Sequence, residues 1–344
     1  MMSTISVVIP MYNAQPFLAD TIRSILSQTV THFELLIVDD GSTDSSLDIA
    51  RSFADPRIRI LDGQINRGQS CAQNRGLREA RGEYIAILGA DDIALPNRLA
   101  TQAAFLDSHS DVSLVGTSYF TLNSDGICTQ IDVPAEPVAV RWRLLFGNPI
   151  AAPAVMLRRS ILAEIGSFDE SIRFGEDWEL WGRIAAHGKI AQIAEPLTKY
   201  RVHPQSITRR MRDSVKPWQR EICRRNIALL AGISVSDQVV ESLASLRSDP
   251  QRIATVQAFD IIWKCALHYY SFIIRTPREG RLVFGEILRD LLRLARQNES
   301  CRLHALEIAL RCGLRCTPES LLTPQFIKFS ARVALPAGAR RWFR

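Results

Sequence analysis

Two adjacent carboxylates, Asp91 and Asp92, follow the apolar run Glu83–Leu88 closely. Neighbouring like charges repel, and a divalent cation relieves the repulsion, because hard oxygen ligands suit Mg²⁺ or Mn²⁺. Such a cation takes one or two carboxylates and completes its shell from phosphates. The alternative is a helix cap, with Pro96 and a helix just downstream. A second acidic pair, Asp39-Asp40, runs into Gly41-Ser42-Thr43-Asp44. That stretch reads as a turn with Ser42 or Thr43 capping a helix, and also as a carboxylate that bonds a base or a ribose. A third pair, Glu176-Asp177, opens a helical stretch after Phe174-Gly175. The helix dipole favours acids there, and a carboxylate so placed also suits a general base that takes a proton from an attacking hydroxyl. Fourth comes Tyr200-Arg201-Val202-His203. On a strand Arg201 and His203 share a side. An arginine there suits a pyrophosphate and a histidine suits a metal; a packing or surface histidine is the other reading.

Several chemistries are excluded. Strand one leads into Pro10-Met11-Tyr12-Asn13-Ala14 rather than GxGxxG, which argues against a dinucleotide-binding dehydrogenase. The chain contains no GxxxxGK[ST] and no GxSxG.

These residues need a scaffold. Ile5–Pro10, Phe33–Asp39, Ile58–Leu61 and Glu83–Leu88 read as short buried strands. Helices are expected over Pro16–Gln28, Ser42–Phe53 and Gln69–Ala80, so strand and helix alternate and imply a parallel sheet covered on both faces. Ligands of such sheets bind beyond the carboxyl ends of the strands. Tyr12 and Asn13, Asp39 and Asp40, Asn66 and Arg67, and Asp91 and Asp92 all fall at those ends. Further on, strands are expected over Val112–Leu122, Ile190–Ile193 and Thr198–Val202, with an apolar segment over Ile150–Leu157 and a helix over Glu176–Ala186. The chain after Ser206 reads as mostly helical.

Composition adds a division. Of 344 residues, 47% are hydrophobic and 23% charged, which suits a core-forming chain. Residues 1–204 hold 18 Lys/Arg and 24 Asp/Glu, whereas residues 205–344 hold 24 and 12. An acidic half followed by a basic half suggests two jobs. No secretory leader and no membrane span are expected. The seven scattered cysteines imply reduced thiols rather than a zinc site.

Together the motifs resemble family 2 glycosyltransferases with the GT-A fold. The resemblance rests on Val8-Ile-Pro-Met-Tyr-Asn13, Ser24-Ile-Leu-Ser-Gln-Thr29, Phe33 through Asp44, Asn66-Arg-Gly68, Asn74-Arg-Gly76, Gly82-Glu-Tyr-Ile85, Asp91-Asp92 with Pro96 and Leu99, Gly175-Glu-Asp-Trp178 with Leu180 and Arg183, and Tyr200-Arg201 with His203. It implies a Rossmann-like, mostly parallel α/β sheet flanked by helices over residues 1–205, the nucleotide-diphospho-sugar transferase catalytic domain. Residues 206–344 would be a basic, mainly helical C-terminal region.

The resemblance also implies an inverting, hexosyltransferase-like reaction. Pro10, Tyr12, Asn13, Asp39, Asp40 and Arg67 would line the nucleotide pocket. Asp91 and Asp92 would hold Mn²⁺ or Mg²⁺ bridging the diphosphate, with Arg201 and His203 closing over the diphosphate or metal. Asp177, with Glu176 beside it, would be the base. A UDP-sugar is the expected donor. The expected acceptor is a growing cell-surface glycan, such as lipopolysaccharide O-antigen or exopolysaccharide, carried on a polyprenyl lipid. The alternative is a nucleotide-sugar-binding scaffold or sensor that has lost turnover. Gly89 motivates that reading, since it stands where the family often has the first acid of Asp-x-Asp-Asp.

Arg209, Arg210, Arg212 and the segment Phe326–Arg344, with Lys328, Arg332, Arg340, Arg341, Trp342 and Arg344, suit an anionic membrane surface. The chain is expected in the cytoplasm, and on this reading peripheral at the inner face of the cytoplasmic membrane; a solvated helical appendage or an oligomer contact is the other reading of the tail. No motif supports nucleic-acid binding.

Overall fold

Strand β1 (Ile5–Met11) is apolar at every position except Ser6 and is buried almost throughout. That composition belongs to a strand covered on both faces. In the computed structural model it lies between β2 (Phe33–Asp39) and β4 (Tyr84–Ile87), with β3 (Ile58–Leu61) beyond β2. All three pairings are parallel. The structure describes residues 4–63, 65–204, 206, 215–244, 256–297, 301–316, 321, 326–327, 329–330 and 333.

Ile5, Val7, Ile9, Leu35 and Ile37 pack with Leu18, Ile22 and Ile25 of helix α1 (Leu18–Leu26) and with Leu99 and Leu106 of α4 (Arg98–Ser108). Helix α3 (Gln69–Glu79) approaches β1 and β2 closely at Gly76, where a Cβ would stand 2.4 Å from a methyl of Val8.

The second half of the sheet is mixed. It adds β5 (Ile93–Ala94), β6 (Val112–Leu122), β7 (Cys128–Ile131), β8 (Met156–Arg158) and β9 (Lys189–Arg201). The order is β3-β2-β1-β4-β8-β6-β9-β5, with β7 on β6. β6 and β9 run parallel; β8 is antiparallel to β4 and β6, and β5 to β9. The sheet is therefore not parallel throughout.

Two local expectations change, and the apolar stretch Ile150–Leu157 takes a defined form. Helix α2 spans Ser46–Arg51 instead of starting at Ser42. The Ser42 N–H donates to Asp39 Oδ1 (3.1 Å), the Thr43 N–H to Asn13 Oδ1 (2.8 Å) and the Ser46 N–H to Asp44 Oδ1 (2.9 Å). Ser42 and Thr43 thus hold the loop, and Asp44 takes the first free amide of the helix. The stretch Ile150–Leu157 is a 3₁₀ turn at Ala152–Ala154 followed by the short β8, because Pro153 cannot donate to a ladder. The two expected closing strands are one strand, β9, whose register against β6 shifts around Ser118 and absorbs residues 194–197.

Helices α5 (Pro137–Leu144), α6 (Arg159–Ile165) and α7 (Glu176–His187) lie along the way. Past the sheet come α8 (Val215–Ala231), α9 (Asp237–Ala244), α10 (Val256–His268), a π turn at Tyr269–Ile273, α11 (Pro277–Gln297) and α12 (Cys301–Cys316). No described helix is long and apolar enough to cross a membrane.

The chain divides into two compact units: residues to Pro137 together with Pro149–Trp218, and Val138–Asn148 together with the described residues from Gln219 onward. In the first unit, Gln192 of β9 gathers both ends of the excursion. Its amide nitrogen donates to Pro134 O (3.2 Å) and Pro149 O (3.4 Å), and its backbone N–H to Ala135 O (3.2 Å). In the second unit, Trp142, Leu144, Leu145 and Phe146 are fully buried. Trp142 Nε1 donates to buried Asp290 (3.0 Å), Arg143 forms a two-bonded pair with Glu286 (2.8 and 2.9 Å), and Asn226 donates to Leu144 O (3.0 Å).

Candidate active site

The carboxyl ends of β1, β2, β3 and β4 share one edge because these strands are parallel. Tyr12 leaves β1 half-exposed at 48%. Asn13 beside it is the only described non-glycine residue with positive φ, at 50°. Its amide is taken at both ends by Thr43, through a 3.2 Å bond to Oγ1 and the bond from the Thr43 N–H. Asn13 therefore ties the first loop to the second. Pro10 lies half-buried opposite Val38.

Asp39 and Asp40 are both buried, and they do different work. Asp40 accepts the Arg67 N–H on Oδ1 (3.0 Å) and the Gly68 N–H on Oδ2 (2.8 Å). It thereby anchors the loop that opens α3, where Gly68 has φ 98°. Asp39 accepts the Ser42 N–H on Oδ1, while among the described residues its Oδ2 has no partner. Asp39 thus keeps an acceptor for a ligand. The Arg67 guanidinium stands 3.5 Å from Glu170 in an exposed pair, which is a weak tie.

After β4 the acidic pair separates. Asp91 is about one-third exposed, and its Oδ2 meets His203 Nε2 at 3.0 Å. Asp92 is 2% exposed, and its Oδ1 accepts the Arg201 N–H (2.8 Å). Burial first, and the Asp91 charge second, push the Asp92 carboxyl well above the usual carboxylate range. Arg201 Nε donates to Asp91 O (2.8 Å), and its guanidinium lies over the Phe17 ring at 4.7 Å. The same ring meets His203 at 4.8 Å. Among the described residues the terminal nitrogens of Arg201 have no partner, so they can receive an anion. Asp91, Asp92, Arg201 and His203, expected from separate motifs, thus form one cluster. The expected strand pairing of Arg201 with His203 holds only in part: β9 ends at Arg201, and a turn in which the His203 N–H donates to Ser206 Oγ (3.1 Å) brings the imidazole in.

Glycine at 89 has a steric reason. A Cβ there would stand 2.4 Å from Asp92 Oδ2 and 2.9 Å from Asp91 Oδ1. The carboxyl of Asp92 fills the space that a side chain at 89 would need. Behind it Arg98, fully buried, donates to Ile87 O (2.7 Å) and Val155 O (3.1 Å). Burial lowers its pKa to about 10, against the pull of Asp92.

Glu176 and Asp177 form the first turn of α7, entered through Gly175 at φ 80°. The helix packs on β9 and joins it through Gly188 alone. Among the described residues no bond ties Glu176 or Asp177 to the cluster of Asp91, Asp92, Arg201 and His203. Asp177 Oδ1 accepts the Trp178 N–H (2.7 Å). Burial, and then the Asp177 charge, push the Glu176 carboxyl up to about 8.

Sequence reading missed Phe17 and Arg98 beside this cluster. Phe17 falls within the helix expected over Pro16–Gln28, and nothing in its surroundings in the sequence marks it otherwise. Arg209, Arg210, Arg212, Lys328, Arg332, Arg340, Arg341, Trp342 and Arg344 lie outside the described residues.

Residues 6–166 match the family described as Glycosyl transferase family 2. The glycosyltransferase RC0461 of Rickettsia conorii is 35% identical over 58% of this chain, which spans only 33% of that relative's length. Among solved structures, S. aureus TarS 1–349 in complex with UDP-GlcNAc aligns with a TM-score of 0.56 at 17% identity, covering 90% of this chain and 92% of that one. The same TarS fragment has been solved with UDP. That likeness shows the GT-A type of fold, a curled sheet flanked by helices. Glycosyltransferase GlyG of Streptococcus pneumoniae is 30% identical over 257 residues, 69% of this chain and 84% of GlyG. A match that spans so much of a whole relative, added to the family match across Tyr12, Asp39 and Asp91, means that the chain belongs to the family 2 glycosyltransferases.

Proposed function

We propose that this enzyme moves a sugar from a nucleoside diphosphate, with UDP as the carrier, to a hydroxyl of a growing cell-surface glycan on a polyprenyl lipid, with inversion. The observation that carries the reading is the meeting of Asp91 with His203, beside the terminal nitrogens of Arg201 and on the edge that presents Tyr12 and Asp39. The TarS complexes with UDP and UDP-GlcNAc support the choice of donor.

Asp39 Oδ2 accepts from the base or ribose, and Tyr12 offers a ring for stacking. Arg201 and Arg67 receive phosphate oxygens. Asp177 accepts the proton of the acceptor hydroxyl as its oxygen bonds to the anomeric carbon and the bond to the diphosphate breaks. One displacement from the opposite face inverts that carbon. Glu176, which holds its proton at neutral pH, leaves the base role to Asp177.

Among the described residues no three His, Cys, Asp or Glu side chains are placed to ligate one ion together. Asp91 and His203 are within reach of each other, and two ligands fit Mn²⁺ or Mg²⁺, which fills most of its shell from phosphates and water. Asp91 and His203 would hold the ion, and Asp92, whose carboxyl is turned inward, would add its charge from behind. The ion would supply Lewis-acid neutralisation of the departing diphosphate.

A panel of nucleotide sugars, each with Mn²⁺, Mg²⁺ or chelator, tests this. The expected result is release of diphosphate from one donor that chelator abolishes. Tight nucleotide binding indifferent to chelator, without turnover even when glycan acceptors are supplied, would favour a binding scaffold.

We further propose that the basic C-terminal part docks on the anionic inner face of the cytoplasmic membrane. Its excess of Lys and Arg, with the exposed Phe272 and Leu314, supports this. Full-length chain is expected to sediment with anionic liposomes more than a chain lacking residues 320–344; equal sedimentation removes the role of that tail.

A further inference from the structure

We propose that Thr21 is a positioning residue of the donor site, its hydroxyl holding from beneath the turn that carries Asp91. This rests on the reading of that site as the place where diphosphate and cation bind. Thr21 and Ser24 lie three residues apart on one face of α1, and Gln28 follows two residues past its end. All three are polar and yet buried, at 0%, 9% and 5% exposure. Buried polar groups need partners, and here the partners are the backbone of one segment, residues 90–99.

The Thr21 hydroxyl lies 2.9 Å from Ala90 O and 2.8 Å from Asp92 O. These two carbonyls bracket Asp91. One proton shared between them fixes both ends of the turn, which is closed above by the Asp92 N–H on Gly89 O (3.2 Å). Ser24 Oγ accepts the Ala94 N–H (3.1 Å). The Gln28 side chain donates to Leu95 O (2.7 Å) and accepts the Leu99 N–H (3.0 Å). The segment is therefore pinned at 90, 92, 94, 95 and 99 by side chains of α1 and of Gln28 just past it. Only the Thr21 bonds flank Asp91, the residue that meets His203. Valine matches threonine in shape and lacks the hydroxyl. Thr21→Val should leave α1 packed and release the Asp91 turn.

The test is calorimetric titration of UDP into full-length protein, with Mn²⁺ and with chelator, for wild type, Thr21→Val and Thr21→Ser. Wild type should bind more tightly with Mn²⁺. Thr21→Val should lose roughly tenfold in the Mn²⁺-dependent affinity, as expected for unmet buried carbonyls, and change little in chelator. Thr21→Ser, which keeps the hydroxyl, should recover most of the loss. Retained Mn²⁺ dependence in folded Thr21→Val overturns the inference, and so does an equal loss with and without the metal. If Thr21→Val does not fold, Thr21→Ala is read in the same way, with Thr21→Ser as its control; wild-type Mn²⁺ dependence in folded Thr21→Ala overturns the proposal. Wild-type protein that binds UDP equally with and without Mn²⁺ would instead overturn the donor-site reading, and this inference with it.

Discussion

Asp177→Asn should lower kcat for sugar transfer by about 10²- to 10⁴-fold, the range for losing a positioned general base. Asparagine keeps the size of the side chain and an oxygen for the Trp178 N–H, so α7 should start as before. It cannot take the acceptor's proton. UDP affinity and thermal stability should stay close to wild type, since Tyr12 and Asp39, the proposed nucleotide contacts, lie on other elements. Glu176→Gln should do much less, because Glu176 already holds a proton at neutral pH. Steady-state kinetics of both variants with a saturating donor decide the matter. An Asp177→Asn enzyme within a few-fold of wild type places the base elsewhere; a Glu176→Gln enzyme that falls as far as Asp177→Asn makes the pair, not Asp177 alone, the base.

The second large effect concerns the chain's division. A protein ending at residue 205 should fail to fold into a soluble monomer, although it contains every proposed site residue. Helix α5 lies inside that span, yet its partners lie beyond it. Trp142, Leu144, Leu145 and Phe146 are fully buried in the second unit, and the bonds of Trp142 to Asp290 and Arg143 to Glu286 fall in the same place. Each large apolar side chain returned to water forfeits about 1.5–3 kcal/mol, against a whole-domain stability of about 5–15 kcal/mol. Expression, gel filtration and dye binding to exposed apolar surface report the result. A monomeric chain of residues 1–205 that binds UDP as the full-length protein does would show that α5 does not depend on the helices that follow.

The central strands were legible because β1, β2 and β4 are buried on both faces and so are apolar throughout. The site was legible where polar residues follow those runs, at Tyr12, Asp39 and Asp91. What stayed hidden depended on contacts distant in sequence. β5 is two residues long and exists only against Thr198 and Lys199. Helix α5 carries Arg141 and Arg143 among its apolar residues, and the latter makes sense only beside Glu286, 143 residues later. Asp91 and Asp92 look alike in the sequence. The Arg201 N–H, 109 residues on, turns one of them inward. Thr21, Ser24 and Gln28 carry a signal that was readable, uncharged polar residues at helical spacing along and just past α1, but it names no partner.

The contact at Gly89 constrains what this site can accept. With Asp92 where it is, a side chain at 89 would bring its Cβ against the Asp92 and Asp91 carboxylates, so both would have to turn aside. For Asp92 that turn works against its bond to the Arg201 N–H, and residues 89, 92 and 201 are thereby sterically coupled.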